Sequence, residues 1–177
     1  MDHRYLLAVS LPQDKKALLE AAYLRATGQP IAIQNTHISL EFPFFLAERV
    51  GERDFLNRAT QIPFFTFTAT LSKTGMYRQK GKAILFLRAQ PEVKFLELHG
   101  DLRRELQEYY RLDTSVYDGG VVPMYEPHLT LNYDFTGTED QRKKIAEELK
   151  DFSFEVSNVE LLKEVDKGVW VTMGSNH

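Results

Sequence analysis

Two periods run through the hydrophobic and polar positions of this 177-residue chain, one of 2 residues and one near 3.6, in alternating short blocks. Residues 5–11 form a largely apolar run closed by Pro12, which predicts a strand. Residues 14–27 place Leu18, Ala21, Ala22 and Arg25 at helical spacing and stop at Gly28, which predicts a helix. A strand ending at Pro43 and a helix over about 47–60 come next. Residues 64–71 alternate, with Phe65, Phe67, Ala69 and Leu71 on one face and Thr66, Thr68 and Thr70 on the other, as a half-buried strand does. Gly75 and Gly81 bracket a basic, turn-like stretch before an apolar strand over 83–89, so the two strands predict a long hairpin. Pro91 opens a helix over 92–110 with Phe95, Leu98, Leu102, Leu106 and Tyr109 on one stripe. Residues 111–126, with Gly119, Gly120 and Pro123, read as a loop; a helix over 139–149 and strands over 154–162 and 169–173 complete the chain.

Strands and helices that interleave with hairpins imply an α+β fold of mainly antiparallel sheets with helices packed outside. No linker or low-complexity segment divides the chain, so residues 1–177 are expected to form one domain of two intertwined lobes. Hydrophobic residues at 43% and charged residues at 27% are ordinary globular values, which exclude a disordered chain. Zero cysteines exclude a thiolate metal site, a Cys nucleophile and a disulfide framework. No signal-peptide pattern and no membrane-length apolar run is present, so a cytoplasmic location without membrane contact is expected. A net charge of -3 argues against coating long nucleic acid, although residues 71–111 carry nine Lys/Arg against five Asp/Glu. That local excess suits either a solvated surface or a rim that guides phosphate.

Two tetrapeptides then carry the chemistry: His37-Ile38-Ser39-Leu40 and His128-Leu129-Thr130-Leu131. In a strand, alternate side chains share a face, so each His lies beside its hydroxyl while the apolar residues point to the core. Imidazole, with a pKa near 6.5, both takes and gives protons at neutral pH, so His37 and His128 are the candidate acid and base. Ser39 and Thr130 are candidate donors to phosphoryl oxygens. The predicted reaction is in-line displacement at a phosphodiester. By the same alternation Glu41 and Asn132 extend the two His-bearing faces by one step. Tyr77, Arg78 and Lys80 on the hairpin suit a base and a phosphate. His3, His99 and His177 are set aside, His99 as a histidine at the edge of an apolar stripe. A metal reading of His37 and His128 lacks a third ligand at suitable spacing, so neither a metal nor a cofactor is expected.

These motifs, together with the opening strand and helix, the hairpin over 64–89 and the Pro127-His128-Leu129-Thr130-Leu131 run with Tyr125 before it, resemble the two-histidine (2H) phosphoesterase superfamily, in particular its 2'-5' RNA ligase-like branch. The resemblance implies two pseudo-symmetric, mainly antiparallel sheets with outer helices around a central cleft lined by His37, Ser39, His128 and Thr130. It also implies metal-independent work on 2',3'-cyclic phosphates or 2'-5' linkages of RNA or nucleotides. The expected partner is a nucleotide or RNA terminus bearing such a group, and the expected state is a monomer. Two alternatives stand beside the enzyme: a non-catalytic module that binds RNA ends or nucleotides in the same cleft, and a protein-interaction scaffold.

Overall fold

The opening apolar run becomes β1 (Tyr5–Ser10), buried along nearly its whole length because both its faces are covered. The computed structural model describes residues 3–31 and 36–175. Leu7 and Val9 of β1 enter the main core, while Leu6 and Ala8 on the other face form a smaller cluster with Leu162, against which Trp170 packs. Pro12 then caps α1 (Gln13–Thr27), which ends where Gly28 adopts φ +75° and donates its N–H to the Leu24 carbonyl at 2.8 Å. The buried stripe of α1 is Leu19, Ala22, Tyr23 and Ala26, one residue along from the expected stripe of Leu18, Ala21, Ala22 and Arg25; Leu18 is exposed.

The remaining elements are β2 (His37–Ser39), β3 (Phe44–Leu46), α2 (Glu52–Ala59), β4 (Phe67–Gln79), β5 (Lys82–Gln90), α3 (Glu92–Leu106), β6 (Tyr110–Leu112), β7 (His128–Asn132), α4 (Glu139–Glu148), β8 (Ser153–Val156), β9 (Glu160–Asp166) and β10 (Val169–Ser175). Every strand pairing is antiparallel, in the order β10-β9-β1-β2-β7-β5-β4-β8, with β3 joining β1 to β6. The α+β architecture is thus the expected one. The strands form one continuous ten-stranded sheet rather than two separate ones, and its halves join between β2 and β7 through the single pair Ile38↔Leu129. Helix α1 packs on α4, whose start is fixed by a capping box in which Thr138 and Gln141 each satisfy the other's backbone N–H. Among the described residues no helix is long and apolar enough to cross a membrane.

Several boundaries differ from expectation for local reasons. The hairpin turn is only Lys80-Gly81, with φ +49° and +79°, so β4 continues through Gly75 to Gln79. Gly75 pairs with Phe86 within this strand, and the position takes glycine because the Phe86 ring lies over it: a Cβ there would sit 2.3 Å from Phe86 Cζ. Helix α2 starts at Glu52, after Arg49 turns the chain with φ +72° and Gly51 caps the helix. Helix α3 stops at Leu106, and the strand β6 occupies the start of the expected loop. The segment expected as a single strand over 154–162 is divided between β8 and β9.

Candidate functional site

The site is built by one strand pair. Continuing the antiparallel register of Ile38↔Leu129 by one residue each way sets Thr130 opposite His37 and His128 opposite Ser39. Ile38 and Leu129 are fully buried in the main core, so the four polar side chains share the other face. Their arrangement is a square with alternating corners: imidazoles on one diagonal, hydroxyls on the other. Diagonal neighbours on adjacent strands lie about 7–8 Å apart at Cα. That spacing fits one tetrahedral anion between two rings. All four residues line a cleft of about 700 Å³.

Both strands leave strict alternation directly after their motif. On β2, the N–H groups of Leu40 and Glu41 both reach the Leu7 carbonyl, at 2.7 and 3.3 Å. From Ala8↔Ser39 to Tyr5↔Phe44, β1 advances three residues while its partner advances five. On β7, Phe86 pairs with Thr130 but Leu85 pairs with Asn132, so Leu131 is an extra residue. Asn132 therefore turns to the core side and donates to the Tyr23 hydroxyl at 3.2 Å, which corrects the expectation that it extends the His128 face. Glu41 lines the cleft but is 1% exposed, and its carboxylate is already held by the Tyr110 hydroxyl at 2.5 Å, the Phe42 N–H at 2.9 Å and Arg103 at 3.7 Å. Burial and this carboxylate push the Tyr110 phenol far above its ordinary value.

His128 is fixed from both sides. Its Nδ1 lies 2.6 Å from the Glu126 carbonyl, an acceptor, so Nδ1 carries the proton and Nε2 holds the free lone pair of the neutral ring. The Phe86 ring packs tilted on it with centroids 5.0 Å apart, and Tyr77 meets it edge-on at 6.0 Å. Desolvation by these neighbours lowers the His128 pKa from its ordinary value of 6.5, Arg88 adds to the lowering, and the bond to Glu126 opposes it. The same desolvation raises the Tyr77 phenol to about 12.

The back of β2 is clamped by residues that local pattern did not single out as functional. Tyr125 donates its hydroxyl to the Ser39 carbonyl at 3.0 Å. Its ring stacks on His99 at 4.1 Å and 12°, and His99 Nδ1 binds the next carbonyl, Leu40, at 2.7 Å. His99 is thus a satisfied, largely buried histidine, as expected, with two carbonyls of the motif strand held by this stacked pair.

The hairpin residues divide. Tyr77 and Arg78 line the cleft. Lys80 does not: its ammonium donates to the Ser115 carbonyl at 2.9 Å and its N–H to Asp118 at 3.3 Å, while Gln79 binds the Val116 carbonyl at 2.6 Å. Together these bonds fasten the hairpin tip to the segment that walls one side of the cleft. Trp170 and Lys167 on the opposite flank also line it, and periodicity offered no signal for them. His3 lies away from the cleft lining, and His177 falls outside the described residues. Among the described residues no three His, Asp or Glu side chains cluster as a metal-ligand set.

A sequence profile of the 2'-5' RNA ligase superfamily matches residues 12–168. The fold is shared with the crystal structure of E. coli LigT complexed with 3'-AMP, at TM-score 0.64 and 19% identity over 99% of this chain and 97% of that one. It is shared with TT0787 of Thermus thermophilus at TM-score 0.61 and 23% identity, over 98% of this chain and 96% of that one. Usb1 of Kluyveromyces marxianus with uridine monophosphate is more distant, at TM-score 0.51 and 12% identity over 97% and 98% of the two chains. Sequence comparison with curated proteins finds no match.

Proposed function

Because the chain belongs to the 2'-5' RNA ligase superfamily of two-histidine phosphoesterases, we propose that it is a metal-independent phosphoesterase that opens 2',3'-cyclic phosphates or cleaves 2'-5' phosphodiesters of nucleotides or RNA. The observation that carries this reading is the Ile38↔Leu129 pair, which brings two imidazoles and two hydroxyls to one face of one cleft. The mononucleotides held by LigT and by Usb1 support a ligand of nucleotide size.

In hydrolysis of a cyclic phosphate, His128 is the base. Its lowered pKa keeps it neutral, and the Nδ1–H bond to Glu126 leaves Nε2 to take a proton from water. The water oxygen forms the new bond to phosphorus, the bond to one ribose oxygen breaks, and that oxygen receives a proton from His37. Ser39 and Thr130 donate to the non-bridging oxygens, where negative charge grows in the transition state. Exchange with solvent returns the proton to His37 and removes it from His128. Cleavage of a 2'-5' linkage by the neighbouring 3'-hydroxyl uses the same two groups with roles reversed, since the departing 5'-oxygen stands where water enters in hydrolysis.

The test is turnover of adenosine 2',3'-cyclic phosphate in EDTA by the wild type, His37→Ala and His128→Ala. Loss of about 10²- to 10⁴-fold in each variant is expected. Wild-type rates in both variants overturn the reading, and abolition of wild-type turnover by EDTA overturns its metal independence.

A further inference from the structure

We propose that Tyr133 is a positioning residue for the proposed reaction: its phenol donates to the Thr130 oxygen and so aims the Thr130 proton at the phosphoryl oxygen held between the two imidazoles. This rests on the phosphoesterase reading and adds to it a residue that lies outside both motifs.

Strict alternation would send Tyr133 to the core side with Leu129 and Leu131, since it lies three residues after Thr130. The extra residue at Leu131 reverses that outcome. Asn132 goes to the core side, where it meets the Tyr23 hydroxyl, and Tyr133 returns to the cleft that Thr130 and His128 line. The backbone that carries Tyr133 is tied on both sides. The Asp134 N–H donates to the Asn132 side-chain oxygen at 2.8 Å, and the Phe135 N–H donates to the Ala83 carbonyl on β5 at 2.8 Å. Phe135 is itself part of the main core, so Tyr133 enters the cleft from a fixed corner.

The two side chains meet there. The Thr130 hydroxyl is the hydrogen-bonding neighbour of the Tyr133 phenol. Burial raises this phenol above its ordinary value and the bond with Thr130 opposes the rise, so Tyr133 keeps its proton through the neutral range. A phenol is more acidic than an aliphatic alcohol and is the better donor of the pair. With an anion in the cleft, the Thr130 proton turns to a phosphoryl oxygen while the Thr130 lone pair accepts from Tyr133, a chain of two hydrogen bonds that polarise each other. A lone hydroxyl rotates about its C–O bond; one that accepts from a fixed phenol has its proton aimed before the charge develops. No proton is transferred along this chain, so Tyr133 acts on the rate through Thr130 and leaves the acid-base work to the histidines.

The test is a double-mutant cycle of Tyr133→Phe and Thr130→Val, read by turnover of adenosine 2',3'-cyclic phosphate and by calorimetric titration with inorganic phosphate. Tyr133→Phe keeps the ring and should lower kcat roughly 3- to 10-fold, the worth of one hydrogen bond, with KM within about twofold of wild type. Thr130→Val should cost roughly 10- to 150-fold, and adding Tyr133→Phe to it should change kcat by less than about twofold. In Thr130→Ser, which keeps the hydroxyl, Tyr133→Phe should cost its full amount. The pH profile of Tyr133→Phe should keep both limbs. Inorganic phosphate carries full charge on its oxygens, so its dissociation constant should follow the same cycle. Equal penalties for Tyr133→Phe with and without the Thr130 hydroxyl overturn the inference, as do wild-type kcat and phosphate affinity in Tyr133→Phe. Loss of one limb of the pH profile overturns it too, by making Tyr133 a proton-transfer group. No turnover by the wild type, with the phosphate cycle as expected, overturns the phosphoesterase reading alone.

Discussion

Placing a methyl group on Gly75 should damage catalysis from the strand two away from His128. A Cβ at position 75 meets Phe86 Cζ at 2.3 Å and Cε2 at 2.4 Å, against about 3.5–4.0 Å for carbon atoms in contact. The ring must therefore move by about 1 Å or more. It has nowhere easy to go, being 3% exposed and packed between Tyr77 at 5.4 Å and His128 at 5.0 Å. Overpacking of this kind costs about 1–3 kcal/mol, which for a chain of this size lowers Tm by roughly 2–12 °C. Since Phe86 packs on the His128 ring, the displacement passes to His128, and if that ring is the proposed base, misplacement by about 1 Å should cost on the order of 100-fold in kcat. The assay is thermal unfolding of Gly75→Ala alongside steady-state turnover of adenosine 2',3'-cyclic phosphate. Adding Phe86→Leu should recover most of the lost Tm by removing the clashing ring edge. A Gly75→Ala protein with wild-type Tm and wild-type kcat would refute the claim that Phe86 wedges His128 in place.

Three further outcomes follow from the same geometry. Tyr110→Phe removes the 2.5 Å bond to the buried Glu41 carboxylate and should cost about 1.5–3 kcal/mol in urea denaturation, with a wild-type midpoint as the contrary result. Tyr125→Phe keeps the stack on His99 but frees the Ser39 carbonyl, which should cost about 0.5–1.5 kcal/mol and lower kcat with little change in KM. His128 binds its proton more weakly in the folded than in the unfolded chain, so the stability it contributes is complete above pH 6.5 and declines as pH falls towards its lowered folded value. Urea unfolding of wild type and His128→Gln between about pH 5 and 8 should show a smaller acid-side loss in the variant; superimposable pH curves would contradict the assignment.

What could be read from the chain alone was what alternation and turn chemistry encode within a few residues. The two motifs declared their shared wet face because Ile38 and Leu129 between the polar residues are core residues of strands, and α1 declared its end at Gly28 through φ +75°. Continuation of β4 past Leu71 was hidden because the Thr/apolar alternation ends there, while pairing with β5 carries the strand on to Gln79. Glu41 reaches the cleft as alternation implies, whereas Asn132 turns away from it because the bulge at Leu131 depends on the partner strand, and nothing in the sequence of β7 marks it. The Tyr125–His99 clamp joins residues far apart in the chain, and the Trp170 flank reaches the cleft only through the order of strands. Tertiary assembly alone brings such groups together.

The central claim is that His37 and His128 serve one phosphodiester as acid and base, and the most direct test is the pH profile of kcat/KM for adenosine 2',3'-cyclic phosphate in EDTA. Wild type should give a bell. His128→Ala should lose the low-pH limb, which reports the base, and His37→Ala the high-pH limb, which reports the acid, each on activity reduced about 10²- to 10⁴-fold. A full bell at wild-type height in both variants would contradict the account.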